Sequence, residues 1–204
     1  MPLINNVMNK PYSESCDQNK GPILAIISPI FSSHNSVLEI GSGTGQHAVY
    51  FAGEMPQLQW YTSDCRSYIE GINMWLEEAR LPNIIAPVEL NVTTSKWPKI
   101  DVDAVFTANS IHIMNWNEVV HFMDGVGKLL GDKGDLVIYG PFNYGGSYTS
   151  ESNERFDQWL KSRDPKSGIK HFEDMISLAD ENRLRLITDY SMPANNRILH
   201  FRKT

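Results

Sequence analysis

The stretch VLEIGSGTGQHAVYF, from Val37 to Phe51, sets three glycines at every second position behind a short apolar run. Glu39 stands two residues before Gly41, and Ser42, Gly43, Gly45 and Gln46 complete the turn. Glycine allows a tight turn and brings main chain against a ligand with no Cβ in the way. A dinucleotide site asks for G-x-G-x-x-G, with the pyrophosphate over a helix N-terminus. Here the third glycine comes one place early, and Gln46 stands where that pattern wants glycine. A carboxylate at Glu39 repels a pyrophosphate and attracts a cation.

S-adenosylmethionine carries an ammonium and a sulfonium and no phosphate. The E-x-G-x-G-x-G pattern therefore favours it as cofactor, with S-adenosylhomocysteine as product. Asp64 lies about 20 residues past the glycines at a strand end, where an acid accepts both ribose hydroxyls; it suits a helix cap as well. Asn91, with Val92 beside it, ends a third strand, where an amide oxygen can accept from an adenine amino group; it can equally satisfy a turn. Asn19 precedes the first apolar helix and can fold over the cofactor.

The acceptor side is expected at the loops after the fourth, fifth and sixth strands. The first reads ANSIHIMNW and lacks the [DN]PP[YF] signature of base and glutamine amino-methyltransferases. Within it, His112 is a candidate base or orienting residue, or a packed histidine closing over the cofactor. Asn109 can position the acceptor or contact the cofactor. Tyr144, beside Phe142 and Asn143, can wall or stack on an acceptor. Asn195, in MPANN, can bind substrate or tie down a neighbouring loop. Ser152, Asn153, Asp157 and Arg163 suggest one wall of a pocket, or a solvated helix face.

These residues need a frame. Residues 1–20 read as an irregular arm or lid, and 22–31 as an apolar helix opened by Pro22. Strands are expected at about 34–40, 58–64, 84–92, 102–109 and 135–142, with helices from Gly45 up to Pro56, at 68–80 and at 117–130. Helices at 154–163 and 172–182 follow. Two strand-like runs separated by MPANN close the chain and must pair antiparallel. Strands alternating with helices imply an α/β fold, a parallel sheet covered on both faces, in one domain over 1–204.

Lys and Arg number 18 against 24 Asp and Glu, a net charge of −6, with no basic cluster. That argues against a nucleic-acid or anionic-membrane surface and favours a small-molecule acceptor. No run approaches membrane-spanning length and no secretory leader stands at the N-terminus, so a cytoplasmic location is expected. Cys16 and Cys65 stand alone, and the six histidines show no metal-ligand spacing.

The chain resembles class I S-adenosylmethionine-dependent methyltransferases. More closely it resembles the methyltransferase-like 26 family, domain of unknown function 938. The resemblance rests on NKGPIL (19–24), VLEIGSGTGQHA (37–48), SD (63–64), YGPF (139–142), SNERFDQWLKSRDP (152–165) and MPANN (192–196). It implies a Rossmann-like seven-stranded sheet of order 3-2-1-4-5-7-6, with strand 7 antiparallel, and supplies no acceptor. Two positions depart from the family pattern: Gln18 replaces an arginine and Asn91 an aspartate. An amide oxygen still accepts from adenine, whereas Gln18 removes any arginine-dependent substrate contact. Two other readings stay open, a non-catalytic cofactor-binding partner subunit and a nicotinamide-dependent oxidoreductase.

Overall fold

The computed structural model describes residues 9–94 and 96–204. Of the expected arm, residues 1–8 lie outside the described residues. Its later part is not irregular: helix α1 spans Glu14–Phe31, with Ser13 as N-cap accepting from the Cys16 N–H. Pro22 therefore lies inside the helix, as does Pro29, and does not open it. Each interior proline costs about 3 kcal/mol. Ile23, Ile27 and Phe31 form a fully buried stripe at i, i+4 and i+8, worth about 1.5–3 kcal/mol per side chain. That tertiary gain is comparable to or larger than the proline cost, and the helix persists through both.

The main sheet has seven strands: β1 (Ser36–Ile40), β2 (Gln59–Asp64), β3 (Ile84–Glu89), β4 (Ala104–Ala108), β5 (Asp135–Gly140), β6 (Leu184–Met192) and β7 (Asn196–Lys203). Their order is β3-β2-β1-β4-β5-β7-β6. β1 to β5 pair in parallel, and β7 runs antiparallel to both β5 and β6. This is the order and direction that the resemblance implied. Pro87 fits β3 because an edge strand needs only half its hydrogen bonds.

Between the strands lie α2 (Gln46–Glu54), α3 (Ile69–Ala79), α4 (Trp116–Leu129), α5 (Glu151–Arg163) and α6 (Phe172–Glu181). α5 begins three residues earlier than its apolar pattern suggests, because Ser150 caps it by accepting from the Asn153 N–H. Part of the glycine-rich segment after β5 is also ordered, since Phe142–Asn143 pairs in parallel with Lys170–His171. Alternation along the buried strands divides the core. Leu38 and Ile40 of β1 face α4 and α6, while Val37 faces α1 and α2.

The chain leaves β1 towards β2 and β3 on one side, and returns to β4 and β5 on the other. The crevice between the carboxyl ends of β1 and β4 is thus the point where strand order reverses, the usual ligand position in such sheets.

Candidate functional site

The glycine turn occupies that crevice. Gly41, Gly43 and Gly45 all have positive φ, at 76°, 58° and 91°, a region that L side chains avoid. Their surroundings differ. A Cβ on Gly41 would collide with Ser110 Oγ, and one on Gly45 would lie 3.2 Å from Ile72 Cα and Trp75 Cβ. Close packing of the chain on itself therefore explains those two. Gly43 alone faces open space. Ser42 points away, its Oγ accepting from the Ser63 N–H at 3.2 Å.

Two carboxylates flank the turn. Glu39 is 1% exposed, and the Trp60 indole N–H donates to its Oε2 at 3.2 Å. Burial raises its pKa to about 7, against the opposing hydrogen bonds from Trp60 and Ser42. Asp64 accepts from the Gly43 N–H at 2.7 Å and from the Cys65 N–H at 2.7 Å. Burial raises its pKa, with those two bonds opposing. Neither the following turn at 66–68 nor α3 takes a side-chain cap, so Asp64 is not acting as one. Each carboxylate oxygen keeps acceptor capacity for a further donor.

Other expected cofactor contacts have partners within the chain. Gln46 Oε1 accepts from the Ser13 N–H at 2.5 Å and from Thr44 Oγ1 at 3.0 Å, and its Nε2 donates to the Ser13 carbonyl at 3.3 Å. It anchors the segment entering α1. Asn91 Oδ1 accepts from the Thr93 N–H and hydroxyl at 3.0 and 2.8 Å, as in an Asx turn. Val92 packs half-buried beside it. Asn19 Oδ1 pairs with His47 Nε2 at 2.6 Å, joining α1 to α2 within the layer. Pro11 and Lys10 complete the entry segment. The Trp75 indole donates to the Pro11 carbonyl at 2.7 Å, and Lys10 Nζ sits 3.7 Å above the Trp75 ring.

The turn after β4 spans the crevice. Asn109 has φ 57°, and its N–H donates to the Tyr139 carbonyl at 2.9 Å. Ser110 covers Gly41 just after β1, while His112 Nδ1 lies 3.6 Å from where a Cβ on Gly140 would stand. His112 is 5% exposed and meets Phe156 of α5 edge to face, 5.1 Å between ring centres. Burial, then the charge of Lys170, lowers its pKa to about 4. Such an imidazole is neutral at physiological pH and a weak base.

Asn195 also has positive φ, 58°. Its carbonyl accepts from Asn153 Nδ2 at 3.1 Å, and its own Nδ2 donates to Ser152 Oγ at 3.3 Å. Both contacts tie the β6–β7 turn to α5. Two of the three expected loops thus meet through α5, with Asn153 on MPANN and Phe156 on His112. Tyr144 goes elsewhere: its hydroxyl donates to Asp189 of β6 at 2.8 Å and its ring stacks on Phe172 of α6. Burial, then the hydrogen bond and charge of Asp189, raise its pKa, so the phenol stays protonated and offers no base.

Lys170, Ser110 and Trp60 carry much of this geometry and escaped sequence reasoning as site residues, whereas Asp157 was among the expected pocket-wall residues. The polar spacing of 152–163 marks Asp157; nothing local marks the other three. A cavity of about 480 Å³ bounded by Val92, Trp97, Ile100, Gly125 and Leu129 lies between the β3–β4 connection and α4. The carboxylates and His112 do not line it. Among the described residues no group of three His, Cys, Asp or Glu could hold a metal ion, and no helix is long and apolar enough to cross a membrane.

Residues 10–203 match the family described as protein of unknown function DUF938. Solved methyltransferase structures share the fold. An O-methyltransferase family protein from Burkholderia thailandensis superimposes with a TM-score of 0.82 at 13% identity, over 93% of this chain and 57% of that one. For the mitomycin 7-O-methyltransferase MmcR the values are 0.81, 15%, 93% and 54%. For human N-acetylserotonin methyltransferase in complex with SAM they are 0.77, 14%, 93% and 53%. The chain spans little more than half the length of these structures, and at such identities the likeness is one of fold.

Proposed function

The chain belongs to the DUF938 family, and on that premise we propose that it is an S-adenosylmethionine-dependent methyltransferase acting on a small-molecule acceptor. The observation that carries the reading is the pairing of two part- or fully buried acids with one open glycine at the crevice. Glu39 and Asp64 have raised pKa values, and Gly43 leaves room above its main chain. These features fit the cofactor. Glu39 would face its ammonium, Asp64 its ribose hydroxyls, and Gly43 would let the main chain approach. Gly41 and Gly45 shape that turn from behind. When bound, the cofactor supplies a methyl group already activated by its sulfonium.

This chain's own residues would align and shield. α5 and the turns at 109–113 and 192–196 would form the acceptor wall. The Phe156 ring would exclude water, and the neutral His112 could accept a hydrogen bond from the acceptor. The fold shared with small-molecule O-methyltransferases supports this reading, as does the resemblance of the sequence motifs to methyltransferase-like 26. The net charge of −6 disfavours a polyanionic acceptor.

Incubation with methyl-labelled S-adenosylmethionine and fractionated metabolite extracts tests the proposal. Label appearing in a small molecule, and absent with Asp64→Ala, is expected. Cofactor binding without transfer to any fraction would favour the partner-subunit reading. That alternative draws on the weak basicity of His112 and on Tyr144 staying protonated.

A further inference from the structure

Asp157 lies on the buried face of α5 with Asn153 and Leu160, and is 1% exposed. Its Oδ1 accepts from the Ile169 N–H at 2.7 Å; its Oδ2 accepts from the Tyr148 hydroxyl at 2.7 Å and from Lys161 Nζ at 2.6 Å. Gly168, one residue earlier, has φ 141°, and a Cβ there would stand 2.8 Å from Asp157 Oδ1. Segment 168–170 is thus pinned to α5 at a distance that only glycine tolerates.

From that anchor the segment grips the turn after β4. The Gly168 N–H donates to the His112 carbonyl at 2.9 Å. Lys170 Nζ donates to the carbonyls of Met114 and Gly168, each at 2.7 Å. Lys170 is 9% exposed, and its hydrogen-bond partners are carbonyl oxygens, not a carboxylate. Burying an ammonium on such terms carries a desolvation cost that an apolar side chain would avoid. What the arrangement gains is a fixed turn with a positive charge beside an imidazole.

We propose that Asp157 and Lys170 are positioning residues that clamp the 110–114 turn and present the His112 imidazole, between Gly140 and Phe156, to a protic acceptor carrying an O–H or N–H. The inference rests on the methyltransferase reading of the site. The clamp acts through main chain at both ends of the turn, at His112 and at Met114, so the ring is placed without a side-chain bond of its own. The charge facing the ring is Lys170, which is itself faced by Asp157, Lys161 and Glu118. Burial, with that cation's help, keeps the ring neutral, able to accept a hydrogen bond from the nucleophile and unable to hold a proton against it.

The test is NMR of the full chain with isotope-labelled histidine, alone and saturated with S-adenosylhomocysteine. In the wild type, the His112 resonances should carry the ring-current shift of Phe156, remain neutral down to about pH 5 and respond to the ligand. In Lys170→Met, which keeps stem length and loses the charge, the protein should stay folded and still bind S-adenosylhomocysteine. Its His112 shift should relax towards that of an exposed histidine, and its titration midpoint should rise by about one pH unit. Asp157→Ala should relax the shift similarly, and Asp157→Asn, which keeps an acceptor for Ile169, should restore most of it. Unchanged His112 shift and midpoint in folded Lys170→Met and Asp157→Ala would overturn the clamp. If Lys170→Met fails to fold, the contrast between Asp157→Asn and Asp157→Ala decides in its place. A wild type that does not bind S-adenosylhomocysteine would sink the methyltransferase reading, and the acceptor role with it, whatever the His112 shifts do.

Discussion

Glu39 is the residue whose ionisation should govern cofactor binding. Its side chain is buried beside the glycine turn with the Trp60 indole as donor, and burial holds its pKa at about 7 in the free protein. A cationic ligand group pairs with the carboxylate, not with the acid. Binding must therefore select the ionised fraction, about one half at pH 7 and about one tenth at pH 6. Apparent affinity for S-adenosylhomocysteine, whose ammonium stays charged throughout, should be about fivefold weaker at pH 6 than at pH 7 and level off above pH 8. About half a proton should be released per ligand at pH 7. Glu39→Gln keeps an oxygen for Trp60 and removes the titration. At pH 8 it should lose about 1.5–3 kcal/mol of binding, the worth of a hydrogen bond to a charged group. Calorimetry in two buffers of different ionisation enthalpy reads both quantities. Affinity independent of pH between 6 and 8, or Glu39→Gln binding like wild type, would refute the placement of the cation at Glu39. The free protein carries the reciprocal signature. With a folded pKa above the unfolded 4.5, the stability Glu39 contributes is full below pH 4.5 and is lost as pH rises through 7.

Asp64→Ala should weaken S-adenosylhomocysteine binding about 100-fold, from two charge-assisted hydrogen bonds, with little change in melting temperature because water can reach the freed N–H groups; equal calorimetric affinities would remove Asp64 from the ribose site. Gly41→Ala should destabilise through its collision with Ser110, whereas Gly43→Ala meets open space. The latter should lose ligand affinity with a stability cost of only about 1–2 kcal/mol for its positive φ, so urea melts and calorimetry on the pair should rank them oppositely. Asp135 is buried, which raises its pKa, but His200, His34 and Arg202 outweigh burial and hold it well below the usual range. Its stabilising effect is therefore present above pH 4 and lost on acidification. At pH 7 Asp135→Asn should cost about 3 kcal/mol in urea denaturation, and a loss under 1 kcal/mol would contradict that assignment.

Strands were the most legible part of the chain. VLEI, LQWYTSD and DLVIYG are short apolar or alternating runs bounded by turn residues, and they form β1, β2 and β5 within about two residues of their expected limits. The antiparallel ending was legible because MPANN is too short to allow anything else. Helix α1 was misjudged at its start, since Pro22 satisfies the local rule for a helix opening and the stripe Ile23–Ile27–Phe31 that overrides it shows its value only against the sheet. The site divides in the same way. Glu39, Gly43 and Asp64 are placed by strand ends, which local pattern predicts. Gln46 and Asn91 have short polar partners, Ser13 and Thr93, and side chains of that kind are as easily used by their own chain as by a ligand. The clamp at Asp157 and Lys170 joins residues 157, 168–170 and 112–114, a link no local pattern contains.

The most direct measurement is a calorimetric titration of the purified chain with S-adenosylhomocysteine, and in parallel with NAD. The account predicts saturable one-to-one binding of S-adenosylhomocysteine, weakened about 100-fold in Asp64→Ala, and no saturable heat from NAD. Binding of NAD with no response to S-adenosylhomocysteine would contradict it.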